Sequence, residues 1–186
     1  MFKKIHLVYI LLGISTMFSA CSEINSSASS QKDKNTKYSS EIIVKAGNNN
    51  ITAIVKSSNI NEYDGLDTEI FQSIMKDKDI TIPYIKLGET IQINIGNEVT
   101  NTYQLKDCIL NEDGTLKYEK TTIKSTEIKF DKGVGSFVFN ENLWANLSSN
   151  SADYEPGKTI RGFRFMCKDK KEECAFIVRT DALAKK

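Results

Sequence analysis

The chain has 186 residues, of which 40% are hydrophobic and 26% charged, with a formal net charge of +1. These values are typical of one globular domain with tails. They argue against a wholly disordered chain and against a strongly basic nucleic-acid-binding protein, because 24 acidic residues offset 25 basic ones. The only histidine is His6, which excludes a metal site built from several imidazoles.

The first twenty residues have the layout of a secretory signal. Lys3 and Lys4 are basic, residues 5–14 form an apolar run, and residues 15–20 are small and mixed. The apolar run is too short to span a bilayer as a stable helix. Removal of this segment would leave no histidine, and Ser-His-Asp and Cys-His catalysis would then be excluded.

The end of this segment, Phe18-Ser19-Ala20-Cys21, resembles the bacterial lipobox, in which an aliphatic residue and two small residues precede a cysteine. Phe18 departs from the usual leucine. The resemblance implies a bacterial lipoprotein whose Cys21 carries a diacylglyceryl group with palmitate-type chains. Two acyl chains hold a protein stably on a membrane. We therefore expect an extracellular protein that is lipid-anchored to the cell membrane. Plain secretion with an incidental cysteine is the alternative.

Residues 21–40 read as a tether. Seven of the nineteen residues from Ser22 to Ser40 are serine, and most others are polar. Such a segment has little apolar surface to bury, so we expect disorder. Residues 41–186 are then expected to form a single domain.

The domain reads mainly as short strands bounded by turn signals such as Gly47-Asn48 and Asp131-Lys132-Gly133. Eight strands are predicted: Glu41–Ala46, Ile51–Ser57, Thr90–Ile95, Tyr103–Leu110, Thr121–Phe130, Gly135–Phe139, Thr159–Cys167 and Cys174–Thr180. Two helical segments, Asp67–Lys76 and Glu141–Leu147, are predicted to cover the ends of the fold. The apolar residues of the second are Leu143, Trp144 and Leu147. The predicted fold is mainly all-β, an immunoglobulin-like antiparallel β-sandwich of about eight strands with one or two short helices.

The last two strands predict a hairpin with a charged tip at residues 168–173. In a symmetric register Cys167 lies opposite Cys174, and Phe165 lies opposite Phe176. Opposed cysteines in an exported protein favour a Cys167–Cys174 disulfide. The alternative is a pair of buried thiols that pack as small hydrophobic groups.

The same register places Arg164 and Arg179 close together on the opposite face of the hairpin. Two guanidinium groups can bind a carboxylate or a phosphate through paired hydrogen bonds, so both residues are candidate ligand-binding residues. Alternatively, each pairs with a neighbouring Asp or Glu of the chain itself.

Two further patterns in the sequence are weaker. Residues 61–67 faintly resemble a calcium loop, but the EF-hand positions fail because Ile60 and Phe71 cannot bind calcium. Aromatic residues would form a sugar-stacking platform if the fold brought them together. They are Tyr63, Tyr84, Tyr103, Tyr118, Tyr154 and Trp144. We predict no cofactor, no metal site and no nucleic-acid partner.

The favoured functional hypothesis is a membrane-anchored binding or interaction module rather than an enzyme. Its partner would be an envelope or extracellular protein or a glycan. The alternative is a histidine-free cell-wall hydrolase that uses paired carboxylates. The available acids near loops are Asp107, Glu112, Asp113 and Asp131. A purely structural envelope lipoprotein is a third hypothesis.

Overall fold

A computed structural model of the chain describes residues 36–38, 42–57, 68–96, 100–167 and 171–184. One α-helix, α1 (Glu69–Lys76), is present in these segments. The strands are β1 (Thr36–Tyr38), β2 (Ile43–Ala46), β3 (Asn49–Ile51), β4 (Ala53–Ser57), β5 (Thr90–Asn94), β6 (Asn101–Leu110), β7 (Lys124–Asp131), β8 (Val134–Val138), β9 (Thr159–Cys167) and β10 (Glu172–Thr180). No helix in these segments is long and apolar enough to cross a membrane.

The strands form one antiparallel sheet in the order β1-β4-β10-β9-β6-β7-β8-β5-β2-β3, which curls into a nearly closed barrel. The fold is therefore mainly β, as predicted. The prediction of a two-sheet, immunoglobulin-like sandwich is wrong, because the strands form a single barrel-like sheet. The predicted turn at Lys132 and Gly133 explains why the strands form one continuous sheet. Both residues have positive φ angles (49° and 78°), which match a tight hairpin. This hairpin pairs β7 with β8 and joins the two halves into one sheet.

The barrel interior is filled by alternate side chains of the strands, as in β5, where Ile91 and Ile93 are fully buried. Aromatic rings dominate the centre of this core. Phe163 and Phe176 stack with ring centroids 5.1 Å apart, and Tyr103 meets Phe130 edge-on at 5.2 Å. Such pairs stabilise a core beyond the effect of area burial alone.

Helix α1 packs on the outer face of the sheet and forms a second, smaller core. Its buried residues are Ile70, Phe71 and Ile74. The helix does not cover an end of the fold, which corrects the prediction. A Cβ atom on Gly162 of β9 would lie 2.9 Å from Phe71 Cε1, so the missing side chain of Gly162 makes room for the helix.

The second predicted helical segment contains only a short 3₁₀ turn at Ala145–Leu147. Ala145 packs with Ile109 and Ala182 at one end of the barrel. The prediction that this segment covers the end of the fold with its apolar side chains is wrong, because Leu143, Trp144 and Leu147 are exposed by 65%, 38% and 59%.

The β9–β10 hairpin has a register two residues away from the predicted one. Cys167 pairs with Glu172, Cys174 pairs with Phe165, and Phe163 pairs with Phe176. A shift of two residues keeps every side chain on its predicted face, because side chains alternate with a period of two. The pairings within the face were therefore wrong, although the face itself was correct.

Several predicted features lie outside the described residues, namely the signal segment 1–20, Cys21 and the weak calcium pattern at 61–67. Part of the predicted tether is described. Thr36–Tyr38 forms β1, which pairs with Ile54–Lys56 of β4.

Candidate functional site

The barrel has an open seam between β7 and β8. These strands pair only at Phe130 with Gly135 and at Asp131 with Val134, next to their turn, and then diverge. Among the described strands, residues 124–129 pair with β6 alone and Ser136–Val138 pair with β5 alone. We call the gap between these two edges the seam.

A cavity of about 270 Å³ opens at the seam. Its lining combines an apolar wall with a few polar groups: Leu105, Asp107, Lys124, Thr126, Phe137, Val138, Asn140, Arg161 and Phe163. Ligand sites are typically concave, mostly apolar and furnished with a small number of placed polar groups. This cavity has that character, and its volume lies just below the usual range for ligand pockets.

A buried ion pair forms the polar part of the cavity. Arg161 of β9 donates from Nε to Asp107 Oδ1 at 3.1 Å and from Nη2 to Asp107 Oδ2 at 2.5 Å. Asn142 Nδ2 donates to the same Oδ2 at 3.2 Å, and Arg161 Nη1 donates to the Asn140 carbonyl at 2.6 Å. These bonds fix the guanidinium and the carboxylate in one orientation, because a paired guanidinium–carboxylate contact is geometrically specific.

Two aromatic rings also contact the guanidinium group of Arg161. Its guanidinium carbon lies 4.2 Å from the centre of the Phe139 ring and 5.3 Å from that of Phe163. A desolvated cation above an aromatic face is stabilised electrostatically. The charge of Arg161 is thus compensated from two sides, by Asp107 and by the rings.

Lys124 gives the cavity a net positive charge. It lies directly across the ladder from Asp107, which in turn lies across from Phe163 of β9. Asp107 is already paired with Arg161, and no carboxylate of the described residues forms an ion pair with Lys124. Since Lys124 is exposed at the rim, an incoming group meets a cation there.

The predicted arginine pair is not brought together. Arg164 lies opposite Ala175, whereas Arg179 lies opposite Ile160 at the other end of the hairpin. Arg164 forms a buried ion pair with Glu173. Arg179 donates two hydrogen bonds to Glu112, at 3.0 and 2.5 Å, and thereby lowers the pKa of that carboxyl. Each arginine therefore follows the alternative reading, pairing with an acid of the chain itself.

The predicted disulfide between Cys167 and Cys174 is absent from the structure, which contains no disulfide among its three described cysteines, including Cys108. The direct pairing on which it depended does not occur in the observed register. All three thiols are buried, which matches the alternative reading. Burial raises the pKa of Cys174, and burial together with the nearby Asp107 raises that of Cys108.

The four candidate acids have different surroundings and do not form a common site. Asp107 binds Arg161 in the cavity, and Glu112 binds Arg179 outside it. Asp113 accepts hydrogen bonds from Thr115 within a turn, which lower its pKa, while Asp131 ends β7. Among the residues that line the cavity, Asp107 is the one acid, so no second carboxylate accompanies it there.

The aromatic residues are only partly clustered. Tyr118 and Trp144 have ring centres 6.4 Å apart, and Tyr154 donates to the carbonyl of Asn146 in the same region. Tyr103 is buried in the core and Tyr84 donates to Asp181.

Arg161 was not identified from the sequence, although a signal for it existed. Phe163, Phe165 and Cys167 alternate along β9 as an apolar face, and Arg161 lies on the same face because it has the same parity. A charged residue on a core face requires a buried partner, since an unpaired buried charge is very costly. Asp107 of β6 is that partner.

No protein family matches this chain, and no curated protein matches it either. Within the described segments, no group of three or more His, Cys, Asp or Glu side chains is arranged to hold a metal ion.

Proposed function

We propose that the protein is a membrane-anchored extracytoplasmic binding protein whose ligand enters the barrel through the seam. The seam cavity is the observation that carries this proposal. Barrels normally remove their strand edges by closing, and their interiors are filled by side chains. Here the sheet stays open beside a cavity that contains a fixed ion pair. A ligand-binding site would account for both the open seam and the cavity.

The proposed membrane anchor is a lipid attached to Cys21. A lipid at Cys21 followed by a serine-rich segment would hold the domain close to the membrane on its outer side. A binding module needs only this placement and an accessible site. The hydrolase alternative gains no support from the cavity, because its lining residues include a single carboxylate.

The test uses 1-anilinonaphthalene-8-sulfonate, a fluorescent probe with apolar rings and one negative charge. Such a probe fits an apolar cavity with a cation at its rim. We expect it to bind the full chain in detergent and to lose at least about tenfold in affinity, about 1.4 kcal/mol, when Thr126→Phe fills the cavity. Ser125→Phe, one residue away on the outward face of β7, should leave the affinity unchanged.

Equal binding by both variants would contradict the proposal. In that case the probe would be bound elsewhere, for example at the exposed Leu143, Trp144 and Leu147. Urea denaturation of both variants establishes that each is folded before the affinities are compared.

A further inference from the structure

The β7 edge of the seam offers unused backbone hydrogen-bonding groups. Residues 124–129 have a ladder partner on the β6 side, whereas on the seam side no described strand pairs with them. In a strand, the backbone groups of alternate residues point to opposite neighbours, so about half of these six residues direct N–H and C=O groups into the seam. An edge of this kind is a template for one more strand.

The cavity lies directly beside this edge. Lys124 and Thr126 of β7 line it, as does Phe137 of β8. A strand that paired with β7 would direct alternate side chains toward the barrel interior. Apolar cavities of about 150 Å³ hold a benzene-sized molecule, so about 270 Å³ has room for one large apolar side chain.

The surroundings of the cavity favour a polypeptide over a small molecule. Val138 lines the cavity and is 51% exposed. The chain then passes Asn142, which contacts Asp107, and continues into the exposed Leu143 and Trp144. Exposed apolar side chains therefore also occur just after a residue that contacts the cavity, and a ligand confined to the cavity would leave them uncovered. Exposed apolar patches of this kind mark interaction sites.

The charge at the rim of the cavity indicates which residues the partner should carry. Lys124 is the cation at the rim, while Arg161 and Asp107 compensate each other. A segment with an acidic residue next to its inward apolar residue would match this arrangement. Glu127 and Lys129 point outward along β7, and such charged side chains discourage pairing between copies of the chain itself.

We propose that the seam binds an extended segment of a partner protein, which adds a strand to β7, places one large apolar side chain in the cavity and places an acidic residue beside Lys124. This inference rests on the proposed function, because it uses the same cavity. Strand addition draws its affinity from main-chain hydrogen bonds and its specificity from the pocket that receives alternate side chains.

The test uses a pool of ten-residue peptides with apolar residues at alternate positions and Glu or Thr between them, selected on the full chain. We expect enriched peptides that contain a large apolar residue flanked by Glu. Their binding should slow amide hydrogen exchange within residues 124–129. N-methylation of alternate peptide amides should weaken binding at least about tenfold, because it removes the donors of one peptide edge.

Two variants act as controls. Lys124→Glu should weaken the binding of Glu-containing peptides while leaving the cavity open. Gln92→Phe, on the outward face of β5 and away from the β7 edge, should retain peptide binding. Absence of enrichment, or binding that is insensitive to N-methylation, would overturn the inference. A medium-chain fatty acid that binds the cavity when no peptide does would identify a small amphiphile as the ligand instead.

Failure of the peptide test remains distinguishable from failure of the proposed function. If the fluorescent probe binds in the cavity but no peptide does, the binding function stands and strand addition is wrong. If filling the cavity with Thr126→Phe affects neither probe nor peptide, both proposals fall.

Discussion

Arg161 and Asp107 meet inside the barrel through two hydrogen bonds, with Arg161 Nε 3.1 Å from Asp107 Oδ1 and Nη2 2.5 Å from Oδ2. Both side chains are almost fully buried. Because the strands that carry them, β6 and β9, are neighbours in the sheet, the pair also ties the wall of the cavity together.

Breaking this ion pair should strongly destabilise the folded protein. Arg161→Met leaves the Asp107 carboxylate buried without its cation, and we expect a loss of about 3–5 kcal/mol in the free energy of unfolding, measured in urea. Asp107→Asn should show a loss of the same sign. The double variant should lose less than the sum of the two single losses, because the uncompensated charge is gone.

The exposed pair of Arg179 and Glu112 is the matched control. The Arg179 side chain is 29% exposed and that of Glu112 is 67% exposed. Arg179→Met should therefore cost no more than about 1 kcal/mol. Equal losses for Arg161→Met and Arg179→Met would mean that burial of the cavity pair has no energetic importance.

The same exposed pair predicts a pH dependence. The hydrogen bond from Arg179 lowers the pKa of Glu112 in the folded state. The stabilisation it provides is therefore present above the ordinary pKa of a Glu side chain and is lost as pH falls through the lower, folded-state value. Glu112→Gln should cost up to about 1 kcal/mol at neutral pH and almost nothing in strong acid.

Urea midpoints at the two pH values measure this difference. Glu155→Gln provides the control, because Glu155 is exposed and forms no side-chain ion pair with the described residues. If the cost of Glu112→Gln were the same at both pH values, the ion pair would not be its source.

The cysteines should be unreactive in the folded protein. Burial raises the pKa of the thiols of Cys108 and Cys174, and the thiolate is the form that reacts with iodoacetamide. We expect no alkylation of either residue in the native chain at neutral pH, and full alkylation of Cys108, Cys167 and Cys174 in unreduced denatured protein. Mass spectrometry of the peptides measures both states. Failure of Cys167 and Cys174 to react after denaturation would reveal a disulfide.

Lipidation at Cys21 is testable in the producing cell. Growth with an alkyne-labelled palmitate should label the protein, and Cys21→Ser should abolish both the label and its retention in the membrane fraction. Cys108→Ser should keep both, since Cys108 is buried beneath α1. A labelled Cys21→Ser variant would refute the lipobox assignment.

The strands were predictable because their signals are local. The alternation of Ile91 and Ile93 and the turn at Lys132 and Gly133 each specify a short stretch of chain, and the structure confirms both. The overall arrangement was not predictable in this way. A sandwich and a barrel require the same alternation along each strand, and they differ only in which strands become neighbours.

The hairpin shows the same limit at the level of residues. Registers that differ by two residues bury the same faces, so the apolar pattern from Phe163 to Cys167 cannot distinguish them. The choice depends on the length of the charged tip, where β10 begins at Glu172 rather than at Cys174. The disulfide prediction and the clustering of Arg164 with Arg179 both depended on that choice.

The candidate site was predictable only in part. Asp107 was recognised as an available acid, but its partner Arg161 lies far away in the sequence and the two are joined only by the pairing of β6 with β9. The cavity itself arises from the divergence of β7 and β8 after two paired residues. That divergence has no signature in either strand, because both continue to alternate normally.

The short ladder between β7 and β8 also has a mechanical consequence. It joins a group of six strands (β1, β4, β10, β9, β6 and β7) to a group of four (β8, β5, β2 and β3). Only two residue pairs, Phe130 with Gly135 and Asp131 with Val134, hold the groups together along that line. Separation of the two groups along that line would therefore break only the hydrogen bonds of this short ladder. Beyond that ladder the two groups are also joined by the hydrogen bonds from Arg161 Nη1 to the Asn140 carbonyl and from Asn142 Nδ2 to Asp107, and by the contact between the rings of Phe137 and Phe163. Side-chain contacts therefore hold the entrance where the ladder does not.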